Sequence, residues 1–283
     1  MTRQILIAII QPWTQTNSIS LLLMALLFTG MASCQSGKTT FLGTEEVQLA
    51  PPSIHVDSAL FIHAALVRMQ LAENGSVLRY SLDGSPVDES AAVYTQAFQL
   101  LNSAEVKVRA YHPQFAASEE RTIRVRKLKH DISQAFVELE TQPNSSYPGN
   151  GASTLTDGQK GSLNFRQGRY WLGFQEKQIG VKMKWDADFS PNKIILSMLQ
   201  DHGSWIFLPH SIKVHANGKI VGSQELANSA VSGEKQLQYI EIPVSLNNNQ
   251  EFTISIQPLQ KIPDWHPGKG TLPWTFIDEI MLE

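Results

Sequence analysis

From about residue 60 onward, short runs of alternating apolar and polar residues follow one another, and turn formers break them. Val67, Met69 and Leu71 alternate with Arg68 and Gln70, and Leu78, Tyr80 and Leu82 repeat the pattern. Val106, Val108 and Ala110 oppose Lys107, Arg109 and Tyr111, while Ile123 and Val125 oppose Arg124 and Arg126. Successive strand side chains point to opposite faces, so period two over short runs specifies half-buried antiparallel strands. The breaks carry turn chemistry: Glu73-Asn74-Gly75, Asp83-Gly84-Ser85-Pro86 and His112-Pro113. A small sandwich over residues 51–128 is the expectation.

The pattern resumes over residues 131–283. Ala135 to Glu140 reads as a strand and runs into TQPNSSYPGNGAS, a loop rich in Asn, Ser, Gly and Pro. Ile179, Val181, Met183 and Trp185 share a face, as do Ile240, Ile242 and Val244, and again Phe252, Ile254 and Ile256. Ile212 and Val214 precede Asn217-Gly218, a strong hairpin signal. Phe276, Ile280 and Leu282 end the chain as a strand. No convincing amphipathic helix intervenes, so a jelly-roll sandwich follows. The fold class is therefore all-β, two β-sandwich domains, and a chain of 283 residues with 42% apolar content can supply both cores.

The first residues stand apart. Ile19 to Phe28 is an apolar run too short to span a bilayer comfortably, and small residues then lead to Cys34, the only cysteine. An apolar stretch ending in small residues is a secretory signal pattern. Met31-Ala32-Ser33-Cys34 resembles a bacterial lipobox, which implies lipidation at Cys34 after removal of residues 1–33. A plain secretory signal cut near Ser33 and an uncleaved anchor are the competing readings. Residues 34–50 read as a polar tether. A lone cysteine excludes an intramolecular disulfide. The net charge of −3 gives no electrostatic footprint for nucleic acid and favours a neutral or weakly charged ligand.

Two resemblances refine this picture. VLRYSLDGSPVDESAAVYTQAF followed by VKVRAYHPQFAAS resembles the chitobiase/β-hexosaminidase C-terminal domain, through Tyr80, the Asp83-Gly84-Ser85-Pro86 turn, the Ser90 to Tyr94 step and Ala110-Tyr111. It departs from that family at Val87, where a threonine is usual. The resemblance implies an immunoglobulin-like accessory sandwich. LTDGQKGS, YWLGF, GSWIFLP and WHPGKGTLPWTFIDEI resemble a galactose-binding-like (discoidin-type) domain, in the version that follows that module in bacterial family 20 β-hexosaminidases. The order of the two modules agrees as well.

Three candidate sites follow. Many galactose-binding-like domains hold a structural calcium between an early Asp-Gly loop and a late glutamate, which points to Asp157 and Glu279; the competing reading is a turn aspartate and an ordinary strand glutamate. Tyr170, Trp171, Trp205, Trp265 and Trp274 lie in or beside loops, with His266 as a polar handle. Aromatic faces suit sugar C–H groups, although tryptophans in a sandwich mostly fill the core. Trp185 is expected in the core and Trp205 is open to either reading. The ligand candidates are Trp171, Trp265, His266 and Trp274. The third candidate, Asp278-Glu279, looks like an acid pair of family 20 enzymes, but strand neighbours point to opposite faces. A (β/α)8 barrel of about 250 residues also has no room beside two β-modules.

No HExxH, GxSxG or phosphate-cradling glycine motif occurs. The expectation is a non-catalytic, lipid-anchored protein of a bacterial cell envelope, requiring no cofactor and binding an amino-sugar glycan through its C-terminal domain. The alternative is a scaffold docking an envelope protein or glycosidase; a hexosaminidase-related enzyme is the remote third reading.

Overall fold

The computed structural model describes residues 47–186, 188–227, 233–246 and 249–283. The leader and Cys34 lie outside the described residues. Strands dominate, and the helical elements among the described residues are three short 3-10 turns. No described helix is long and apolar enough to cross a membrane.

Eight strands build the first sandwich: β1 (Ser53–Val56), β2 (Leu60–Phe61), β3 (Ala65–Gln70), β4 (Val77–Ser81), β5 (Ala92–Val93), β6 (Phe98–Leu100), β7 (Ala104–Tyr111) and β8 (Arg121–Lys127). One sheet runs β1-β3-β6 and the other β2-β8-β7-β4-β5. Val67, Met69, Leu78, Val106, Val108, Ala110 and Val125 form its core, as alternation requires. Leu82 does not join them: it lies past the end of β4 and is exposed. The turn at Asp83 is shaped by its own side chain. Oδ1 accepts from the Ser85 amide at 3.0 Å and the Ser85 hydroxyl at 2.6 Å, while Gly84 takes a positive φ of 78°. Leu49, expected in the tether, is instead a buried part of this core, tied by its amide to the Ala116 carbonyl.

The second sandwich holds β9 (Phe136–Leu139), β10 (Gly149–Ala152), β11 (Leu172–Phe174), β12 (Ile179–Lys184), β13 (Lys193–Gln200), β14 (Ser211–Ala216), β15 (Lys219–Glu225), β16 (Gln236–Pro243), β17 (Glu251–Gln257) and β18 (Thr275–Leu282). Its sheets run β11-β18-β13-β16 and β15-β14-β17-β12-β9. Asn217 and Gly218 have φ of 50° and 72°, the doubly positive turn that matches strand twist. The apolar faces expected on β12, β14, β16 and β17 meet in one core with Trp185. The chain is thus an all-β protein of two sandwiches.

β13 and β18 are buried almost throughout, because both faces of their sheet are covered. One face meets the core. The other meets Leu60 and Leu128, which reach over from the first sandwich to Ile195, Met281 and Tyr239. A bulge corrects the expectation for the last strand. Ser197 pairs with Glu279 and Met198 with Ile277, which leaves Asp278 as the extra residue. Ile277 and Ile280, three apart, both enter the core, and Phe276 packs elsewhere with Phe165 and Trp171. Asp278 and Glu279 consequently share the outer face instead of pointing to opposite ones.

Candidate functional site

Two carboxylates stand side by side on that outer face, but different partners draw them apart. Asp278 is fully buried; its Oδ2 accepts from Lys160 Nζ at 2.5 Å and from the Gly161 amide at 2.7 Å. Lys160 is sandwiched by rings, 5.3 Å from Trp171 and 5.7 Å from Tyr239. This pair pins the 157–163 loop to β18 and commits the Asp278 carboxylate to Lys160 and the Gly161 amide.

Glu279 faces a cavity of about 210 Å3 at the junction of the sandwiches, lined also by Asp157, Gly158 and Asp131. Burial, then the charges of Asp278 and Asp157, push its carboxyl up to about 9. Its Oε1 has no hydrogen-bond partner among the described residues. The structure therefore brings Asp157 and Glu279 together. An orphaned buried carboxylate oxygen beside a second carboxyl and a glycine-containing loop fits a hard cation. The fit is partial in protein charge: among the described residues no cluster of three or more His, Cys, Asp or Glu is placed to hold a metal. Loop carbonyls and water must complete any coordination.

The loop aromatics fall into two groups. Trp171 is only 1% exposed; its indole N–H donates to the Ser162 carbonyl at 3.1 Å, and its ring packs where a Cβ on Gly161 would stand. Its place beneath the 157–163 loop rules out a ring face for an external sugar. Trp274 is half-buried and meets Tyr147 edge-on at 5.3 Å.

The remaining residues gather around the turn 201–206. His266, 6% exposed, accepts from the Gly268 amide at Nδ1 (3.0 Å) and donates from Nε2 to the His202 carbonyl (2.8 Å). Both ring nitrogens are therefore engaged, so His266 is a brace and not the free polar handle expected. Burial, followed by the proximity of His266, lowers the pKa of His202. Trp265, half-buried, meets His266 edge-on at 5.5 Å.

Trp205, open to either reading in the sequence, is the most exposed of the loop tryptophans. It is 41% exposed and has φ of 64°, a left-handed conformation that side chains of its size rarely adopt. The turn enforces it. Asp201 Oδ1 accepts from the Ser204 amide at 3.2 Å, and the Trp205 carbonyl accepts from the Trp274 amide at 2.8 Å. Gly268 makes room for the ring: a Cβ there would sit 3.0 Å from Trp205 Cε2. The Asp201-x-Gly203-Ser204 turn was a legible signal for this geometry, whereas Gly268, sixty-three positions away, was not.

Comparison with known proteins adds modest constraints. A model of the Fn3-associated family matches residues 67–122, within the first sandwich. No curated protein matches the chain. Among solved structures, the SusE-like protein BT2857 aligns with 81% of this chain and 95% of its own, at 13% identity and a TM-score of 0.33.

Proposed function

We propose that this chain is a non-catalytic, lipid-anchored protein of a bacterial envelope, whose C-terminal sandwich binds carbohydrate, an amino-sugar glycan foremost. The observation that carries this reading is Trp205. Holding a large side chain in the left-handed region costs on the order of 1–3 kcal/mol, and the surroundings over-determine it. The strain presents an indole to solvent on a glycine floor braced by His266 and Trp265. A fixed aromatic face of this kind stacks on a pyranose without losing rotamer freedom on binding. Trp265 and Trp274 support the platform from its flanks.

The other parts agree with a binding role. The Asp-Glu pair is committed to Lys160 and to Asp157, so it supplies no acid and base across a glycosidic bond. Asp157 and Glu279 would hold a structural calcium, neutralising the buried carboxyls and fastening the 157–163 loop. Lipidation at Cys34 would place the sandwiches at the membrane surface. The resemblance to the accessory modules of family 20 β-hexosaminidases favours amino sugars over neutral hexoses.

The test is a glycan array probed with the full-length chain and with Trp205→Ala, alongside an assay for release of N-acetylhexosamine. Binding to chitin-type oligosaccharides that the variant loses, without hydrolysis, supports the reading. Binding that survives in Trp205→Ala overturns the assigned platform. A folded chain that binds no glycan overturns the function and favours a scaffold for an envelope protein.

A further inference from the structure

A groove of about 430 Å3 opens where the two sandwiches and the 157–163 loop meet. Its size falls within the range of small-ligand sites. Ile123, Leu163 and Leu237 give it an apolar floor, and the ring of Tyr239 closes one side. Arg124, Lys160 and Lys235 reach its walls, and among the described residues no carboxylate lines it. Each of these cations has a carboxylate partner, so the groove is set apart by the placement of its cations and not by net charge.

We propose that this groove is a second carbohydrate site, one for an acidic sugar: a uronic acid whose carboxylate meets Arg124 and Lys235 while its ring lies against Leu163, Leu237 and Tyr239. The assignment goes beyond the Trp205 platform and does not depend on it. Three features carry it.

The first is how the cations are held. Glu105 accepts from Arg124 Nε at 3.0 Å, and Asp201 lies 3.0 Å from Lys235 Nζ. Both carboxylates stand outside the groove lining and fix the direction of each cation without filling the groove. Gripped through Nε, Arg124 retains its two terminal nitrogens, the fork that suits a carboxylate. The attraction is thus directional more than a matter of net field.

The second is the pairing of cations with apolar surface. Leu163 is among the few large apolar side chains exposed on the described surface. A site for inorganic anions alone would have no use for it, whereas a pyranose presents one apolar face and a polar edge. The third is Tyr239. It lines the groove with a phenol, a polar group beside the apolar floor.

The test is calorimetric titration of the full-length chain with tetrasaccharides of galacturonic, glucuronic and mannuronic acid, each beside its uncharged methyl ester. The same titrations on Arg124→Gln and Leu163→Ser complete it; both side chains are well exposed, and unchanged melting temperatures confirm folding. At least one acid should bind, about tenfold more tightly than its ester and about fivefold more tightly than to either variant. Trp205→Ala should leave this binding unchanged, which separates the groove from the loop platform. Binding by none of the acids, equal binding of acid and ester, indifference to both variants, or equally tight binding of polyglutamate would each overturn the proposal.

Discussion

Arg126 in β8 of the first sandwich donates from Nη2 to Glu283 Oε1, 2.7 Å away, just past the end of β18 in the second. The guanidinium also lies 5.2 Å from the Tyr239 ring and 3.8 Å from Glu241. With Leu60 and Leu128 packed on Ile195 and Met281, the joint combines apolar burial with an ion pair that is largely screened from water. Arg126→Ala should cost about 1–3 kcal/mol. In calorimetry the two sandwiches should then melt further apart in temperature than they do in the wild type.

The buried Lys160–Asp278 pair should behave asymmetrically. Removing one partner strands a charge that burial alone would not tolerate, so Lys160→Met or Asp278→Leu should each destabilise by about 3–5 kcal/mol. The double variant should be less damaged than the sum of the two singles. Denaturant titrations of all four proteins would measure the coupling.

Glu279 sets a pH dependence. Its ordinary carboxyl pKa is 4.5 and the folded value is about 9, raised first by burial and then by Asp278 and Asp157. The unfolded chain therefore releases this proton near the ordinary value while the folded chain still holds it. Its contribution favours the fold at low pH and is eroded as pH rises from about 4.5 to about 9. In chelator, Glu279→Gln should flatten the decline in stability between pH 5 and 8.5 relative to wild type. Added calcium should raise the melting temperature of wild type at pH 8 and leave Glu279→Gln unchanged.

Glycine contacts test the two aromatic positions separately. Gly161→Ala places a Cβ 2.4 Å from the Trp171 ring and should destabilise by about 1–3 kcal/mol, measured by thermal melting. Gly268→Ala meets the Trp205 ring at 3.0 Å, a milder clash against an exposed side chain. It should cost little stability and weaken glycan binding severalfold by tilting the platform.

Much of the fold was legible in the residues because period two and turn chemistry agree locally. Val106, Val108 and Ala110 turned inward as their alternation required, and Asn217-Gly218 formed its hairpin. What alternation could not show was the bulge at Asp278, since an extra residue in a strand leaves no mark on composition. It turned Phe276 and Asp278 to the outer face and Ile277 into the core, so that Asp278 came to share a face with Glu279. The site was less legible. Asp157 and Glu279 did come together, but Trp171 was drawn inward by the neighbouring 157–163 loop, and His266 by His202, a contact made across sixty-four positions.

The most direct measurement of the central claim is calorimetric titration of chitotetraose into the full-length chain, its Trp205→Ala variant and its Arg124→Gln variant. Saturable binding by wild type and Arg124→Gln, weakened at least tenfold in Trp205→Ala with the melting temperature preserved, is the expected result. Binding of equal strength in Trp205→Ala, or none in the folded wild type, would contradict it.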